Sequence, residues 1–295
     1  MTGNTGNTGN TGNTGNTGIA GDTGGGWLIA DRVDMPFSTI ADPADPSKTL
    51  GDLVRSELNA FPDRSWSARW YAWLALHEFV TDVDWAADAA AAIDPLKTAL
   101  EADYAGEIDA LKMAARDERA EVLGRILSQD VEFFTDFMAL LSMTPGSHPM
   151  TFRLMHIASL IASFAALKFK GEYNIPRPSQ LCPALLPPIP MPGHASFPSG
   201  HATQAHLMWR CLEHLLKQTP ISTSERSIIT RNMKELANQV ARNREIAGLH
   251  YAKDSEAGDA LAKVLFNKLT GAGGSSSPSI DRFDDVIEAA KAEWS

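Results

Sequence analysis

The chain has 295 residues, 44% of them apolar and 21% charged, with a formal net charge of -10 at neutral pH. That length and apolar content suffice for a globular protein with a sizeable core. The acidic balance excludes broad binding to nucleic acid or anionic membranes, because no basic face remains to release counterions from a polyanion, so any cationic site must be local.

Residues 1–26 are mostly a Gly-Asn-Thr repeat, with glycine at every third position from 3 to 24. The period formally matches a collagen strand. The triplets lack proline and have almost nothing apolar to bury, so disorder is expected rather than a trimeric stalk. No charged n-region with an apolar stretch behind it opens the chain, and no secretory signal is expected.

From about Ser65 onward apolar residues recur at three- and four-residue intervals, which predicts an all-α helical bundle over a catalytic domain of residues 27–270. Trp66, Trp70, Trp73 and His77 share one stripe and are expected to pack into the core. His77 beside Glu78 is weighed as a metal ligand, but no partner histidine stands one helical turn away. Further helices are expected over 84–103, 105–142 and 148–170, with Met155, Leu160, Phe164 and Leu167 as core candidates. The longest strongly apolar run without charge lies between His156 and Lys168, well short of the roughly 20 residues that cross a bilayer, so a soluble protein without a membrane span is expected.

Residues 176–192 contain seven prolines and are expected to be a loop in which Pro178 holds Arg177 extended. Lys170 and Arg177 thus come from a helix end and the loop after it. Lysine supplies a point charge, and arginine a planar fork that can grip two anion oxygens. A helix is expected from Pro198 to about Gln218, which places Ser199 and Gly200 at its N-terminus, where unpaired amides and the helix dipole favour an oxyanion. Ser199 adds a hydroxyl, and His201 reaches the anion from another side. Ser222 and Glu225 suggest a capping box for the next helix, which runs toward Arg244. Arg244 and His250 point the same way only if the backbone breaks near Gly248. Asp254 is expected to cap the following helix and to fix the tautomer of His250. Residues 271–278 read as a linker and 279–295 as an amphipathic C-terminal helix. Cys182 and Cys211 are too few for a disulfide framework and are expected to be reduced and structural.

Lys170, Arg177-Pro178, Pro198-Ser199-Gly200-His201, Arg244, His250 and Asp254 resemble the three-part signature of the superfamily of type 2 phosphatidic acid phosphatases, class A acid phosphatases and vanadium-dependent haloperoxidases. Asn243 departs from the serine usual before the arginine. The resemblance implies a helical bundle with the site between helices. It implies Lys170, Arg177, Ser199, Gly200 and Arg244 as ligands of phosphate or vanadate, and His201 as general acid/base. It makes His250 the phosphorylated nucleophile or the apical vanadate ligand, oriented by Asp254. His194 resembles a second active-site histidine of vanadium bromoperoxidases. On that residue the expected function is halide oxidation by hydrogen peroxide with a vanadate cofactor. The alternative is a cofactor-free phosphomonoesterase, and a third reading is an anion-binding or assembly module. The expected partners are small molecules, with no nucleic acid and no membrane; a homo-oligomer and the compartment stay open.

Overall fold

The structure is a computed structural model that describes residues 41, 43–48, 60–271 and 280–294. The expectations for the Gly-Asn-Thr segment and for most of the 271–278 linker lie outside these residues. The described residues fall into two compact units, one before Ala68 and one from Ala68 on. In the first, Asp45 accepts from the amide of Ser47 at 3.1 Å and from its hydroxyl at 2.6 Å, and Phe61 meets Trp66 edge-on.

The second unit is all-α among the described residues, as the periodicity predicts. Its helices are α1 Ala68–Asp82, α2 Ala86–Ala102, α3 Tyr104–Asp117, α4 Arg119–Val131, α5 Phe134–Leu140, α6 Pro149–Tyr173, α7 Pro178–Leu181, α8 Gly200–Leu216, α9 Thr223–Ile246, α10 Ala252–Thr270 and α11 Asp281–Lys291. The stretch expected as one helix over 105–142 is three, broken at Glu118 and Glu132–Phe133. The proline-rich segment holds a helical turn, α7, because Pro178 occupies a first helical position, where its missing N–H costs nothing.

Helix α8 lies at the centre, packed against α6, α9 and α10. Gly258 explains how closely α10 approaches: a Cβ there would sit 2.7 Å from the Ala202 Cβ and 2.9 Å from the Ser199 carbonyl oxygen. Between α8 and α6, the Gln204 amide donates to the hydroxyls of Ser159 and Ser163 at 2.9 and 2.8 Å. At the start of α6, Glu293 accepts from the amides of Met150 and Thr151, supplying the caps that His148 does not. The C-terminal helix is thereby fastened to α6.

Several core assignments on α1 and α6 are corrected. Trp70 and Trp73 are 54% and 50% exposed, because α1 turns Tyr71, Ala72, Ala75, Leu76 and Phe79 inward instead. On α6, Met155 is buried, whereas Phe164 and Leu167 are 37% and 48% exposed and Leu160 is only partly buried. His77 is exposed, and no cluster of His, Cys, Asp or Glu able to hold a metal ion occurs among the described residues. Both cysteines are free thiols.

The expectation of a soluble chain with no segment fit to span a membrane is also corrected. The stretch Pro149–Leu181, 33 residues long, is long and apolar enough to cross one, with 78% of its apolar window buried inside the protein. A charge-free run is shorter than this stretch because Arg153 bounds it on one side and Lys168 on the other.

Candidate functional site

The residues of the three motifs are carried by α6 and the loop after it, by the start of α8, and by α9, α10 and the turn between them. Helix α6 ends on Asn174 in the left-handed region (φ 50°), which leaves Lys170 in its last turn and sends the chain away. Arg177 follows in an extended conformation, φ -75° and ψ 152°, as the next proline requires. Its guanidinium is held on three sides. Nε donates to the His194 carbonyl at 2.9 Å, Nη1 to the Leu249 carbonyl at 2.9 Å, and Nη2 lies 3.0 Å from His194 Nδ1. The fork is therefore pre-oriented by backbone from two loops. Lys170 is as deeply buried, but its ammonium donates to the carbonyls of Ala195 (2.9 Å) and Ser196. It braces the loop in front of α8 and is not on the cavity wall.

At the start of α8, Ser199 is the N-cap. Its Oγ accepts from the Ala202 amide at 3.3 Å and its own amide donates to the Asp254 carbonyl at 2.9 Å. Fully buried, it is engaged in holding α8 against α10, while Gly200 and His201 face the cavity. The His201 ring lies 5.5 Å from that of Phe133. Its Nε2 is buried without a partner.

Arg244 ends α9. The break expected near Gly248 is present: that glycine has φ 79°, its amide bonds to Glu245, and the Leu249 amide bonds back to the Arg244 carbonyl at 3.1 Å. This reversal brings His250 beside Arg177, with His250 Nε2 3.5 Å from Nη1. Arg244 Nη2 is 3.3 Å from Asp130 Oδ1, and Nη1 is buried without a partner. His250 Nδ1 lies 2.8 Å from Asp254 Oδ2. Asp254 is not the N-cap expected of it; Tyr251 holds that position, and Asp254, three residues on, reaches back to accept from the Tyr251 amide at 3.1 Å.

These side chains line a small cavity: Arg177, His194, Gly200, His201, Arg244 and His250 with Pro192, Gln204 and Leu249. Three nitrogens on its wall are buried and unpartnered: Nε2 of His194, Nε2 of His201 and Nη1 of Arg244. Buried polar atoms are normally satisfied, and this set, with two guanidinium groups, fits an oxyanion. The structure thus gathers Arg177, His194, Gly200, His201, Arg244 and His250 on one cavity and sets Lys170, Ser199 and Asp254 behind its wall.

Burial dominates the electrostatics. It pushes His250 and His201 well below the ordinary histidine range, helped by Arg177 beside the first and Arg244 beside the second, so both rings are neutral at neutral pH. Burial and Lys170 push His194 down to about 4. Burial lowers Arg177 and Arg244 to about 10, and both stay charged. Lys170 is driven down by burial and by Arg177, with Asp254 opposing. Burial raises Asp254 to about 6, while the Ser196 hydroxyl, Lys170, the Tyr251 amide and Arg177 hold it lower, so it is an anion at neutral pH. His250 then carries its proton on Nδ1 and exposes the Nε2 lone pair toward the cavity.

Sequence reasoning missed four contributors. Ser196 donates to Asp254 Oδ2, Asp130 pairs with Arg244, Gln129 accepts from Asn243 beside Arg244, and Gln204 lines the cavity. Gln204 alone carried a local signal, one helical turn beyond His201.

No protein-family profile matches the chain, and no curated protein matches it. Among solved structures it is similar to the first transmembrane PAP2 type phosphatidylglycerolphosphate phosphatase from Bacillus subtilis, with 16% identity, coverage of 69% of this chain and 92% of that chain, and a TM-score of 0.35. A superposition of that quality assigns neither family nor activity.

Proposed function

We propose that this protein is a phosphomonoesterase that works through a phosphohistidine on His250. The observation that carries the reading is the Nε2 lone pair of His250, held available by the Nδ1 bond to Asp254, facing a cavity that two guanidinium groups and the free Nε2 of His201 also line. Arg177 and Arg244 take the non-bridging oxygens and stabilise the charge that spreads over them in the transition state. Gly200, at the N-terminus of α8, leaves room for the anion to approach the backbone, and the dipole of that helix adds positive potential.

In the first step His250 Nε2 forms a bond to phosphorus while the bond to the leaving oxygen breaks. A bound dianion draws a proton onto His201 Nε2, and His201 passes it to that oxygen, so the alcohol departs neutral. In the second step water attacks phosphorus, its proton goes to His201, and the phosphorus–Nε2 bond breaks to return His250 and release phosphate. The same residues that motivate this reading resemble the phosphatase and haloperoxidase signature described above.

A second reading rests on His194, whose unpartnered Nε2 lies on the same cavity. In it Arg177, Arg244 and Gly200 would hold vanadate with His250 as the nitrogen ligand, and vanadate, when bound, would supply a Lewis-acidic centre for peroxide chemistry. The donor set fits either tetrahedral anion. The deciding experiment is a paired assay of the purified protein. Hydrolysis of p-nitrophenyl phosphate that vanadate inhibits and that His250→Ala abolishes is the expected result. No hydrolysis, together with bromide oxidation by hydrogen peroxide in orthovanadate, would replace the first reading by the second.

A further inference from the structure

Gln204 belongs to none of the three motifs, yet it lines the same cavity as His201. Both stand on α8, three residues apart, and residues at that spacing are neighbours on one face of a helix. Gln204 is only 3% exposed, so its amide has to find partners inside the protein. Across the contact between α6 and α8, its Nε2 donates to the Ser159 hydroxyl at 2.9 Å and to the Ser163 hydroxyl at 2.8 Å. These serines are one helical turn apart and share a face of α6. An amide nitrogen carries two hydrogens, and both are used.

The orientation of the amide follows from those two bonds. With the nitrogen tied to α6, the group that Gln204 has left to offer the cavity is Oε1, an acceptor that no donor reaches among the described residues. This sets it apart from the guanidinium groups of the wall. Arg177 and Arg244 can only donate, which suits the oxygens of an anion. A carbonyl oxygen is repelled by anion oxygens and binds a hydrogen instead. It lies one helical turn from His201, the residue through which protons enter and leave the reaction.

We infer that Gln204 orients the water that hydrolyses the phosphohistidine. This rests on the phosphoryl-transfer reading and deepens it. In the first step the leaving oxygen takes its proton from His201 and has no hydrogen of its own to offer Gln204. Water then replaces it, on the side of phosphorus opposite His250. One of its hydrogens is directed to His201 Nε2, which the first step has left without a proton, and the other to Gln204 Oε1, so that a lone pair turns to phosphorus. As the bond from water oxygen to phosphorus forms and the bond from phosphorus to His250 Nε2 breaks, the first hydrogen moves to His201. The second stays on the oxygen and leaves with the phosphate. Gln204 takes no proton; it positions the nucleophile, a part that phosphoryl transfer to water needs filled.

The test separates the two steps by rapid quench of the full-length protein with p-nitrophenyl phosphate, following release of p-nitrophenolate and the formation and decay of the acid-labile phosphoenzyme. Gln204→Met keeps the length of the side chain and removes its acceptor. Its phosphoenzyme is expected to decay roughly tenfold more slowly, the worth of one hydrogen bond, while its formation changes less than about twofold, so that a burst appears and phosphoenzyme accumulates. Gln204→Met strands two serine hydroxyls; if it does not fold, Gln204→Asn, which withdraws the oxygen by one methylene, carries the same comparison. Equal slowing of both steps, or of neither, overturns the inference and leaves a structural contact. Slowing of formation alone overturns it too, because the amide would then be serving the anion through its nitrogen. Absence of any phosphoenzyme in the unmodified protein removes the phosphohistidine reading itself, before a substitution is made, and this inference with it.

Discussion

His250 Nδ1 lies 2.8 Å from Asp254 Oδ2, and that same oxygen also accepts from Ser196 Oγ and from the Tyr251 amide, while Oδ1 has no partner. One carboxylate oxygen thus carries the whole task of fixing the nucleophile's tautomer. Replacing it by an amide that can present a donor to Nδ1 moves the imidazole proton to Nε2, the attacking atom. Asp254→Asn is expected to lower kcat by about 10²–10⁴ with the fold retained. Steady-state kinetics beside a thermal melt checks this, and a near-normal kcat in the Asp254→Asn variant would remove the dyad from the mechanism.

Arg244 is buried between Asp130 and the cavity, so its charge has one fixed counter-ion and one face left for an anion. Asp130→Ala leaves that charge uncompensated, which costs about 3–5 kcal/mol when a buried pair is broken. An oxyanion restores the lost negative charge. Orthovanadate is therefore expected to raise the melting temperature of the variant more than that of the unmodified protein, and an equal rise in both would show that Arg244 does not face the bound anion.

His156 is buried between the rings of Phe134 and Phe152, and burial, with Arg69, lowers its pKa to about 3. The unfolded chain takes up this proton below about pH 6.5 and the folded chain does not, so stability falls as pH falls from about 6.5 toward 3. Between pH 7 and 5 this single group contributes a loss of about 2 kcal/mol. His156→Phe also removes an unpartnered Nε2. Urea unfolding of the variant at both pH values is expected to show a smaller acid loss than the parent; an unchanged difference would place His156 in contact with water.

Gly258 sets the distance between α8 and α10, and with it the bond from the Ser199 amide to the Asp254 carbonyl. Gly258→Ala pushes a methyl group into backbone, where nothing flexible can yield. The expected cost is about 1–3 kcal/mol in denaturant unfolding, with a fall in kcat because Asp254 moves relative to His250. Unchanged stability and rate would mean that the two helices separate without consequence.

Periodicity read the helices well where they are long. The segments expected over 84–103 and 148–170 are α2 and α6 to within a few residues. It failed on which face turns inward: Trp70 and Trp73 look like a core stripe, but α1 packs on α6 through smaller residues between them. Amphipathicity tells that a helix has two faces, and only the neighbour decides which is covered.

Within the site, the local signals concerned backbone: Pro178 dictates the extended Arg177, Ser199 caps α8, and Gly248 permits the reversal that brings His250 round. These depend on the steric and hydrogen-bonding limits of a few consecutive residues, so they, like the helical class, were legible in the local sequence. Tertiary structure alone decided that Lys170 braces a loop, that His194 reaches the cavity, and that Gln129 and Asp130 join a site whose motifs begin at residue 170. The partners in these last contacts stand 114 residues apart in the chain. Only the packing of α4 against α9 brings them together, and no short-range pattern encodes it.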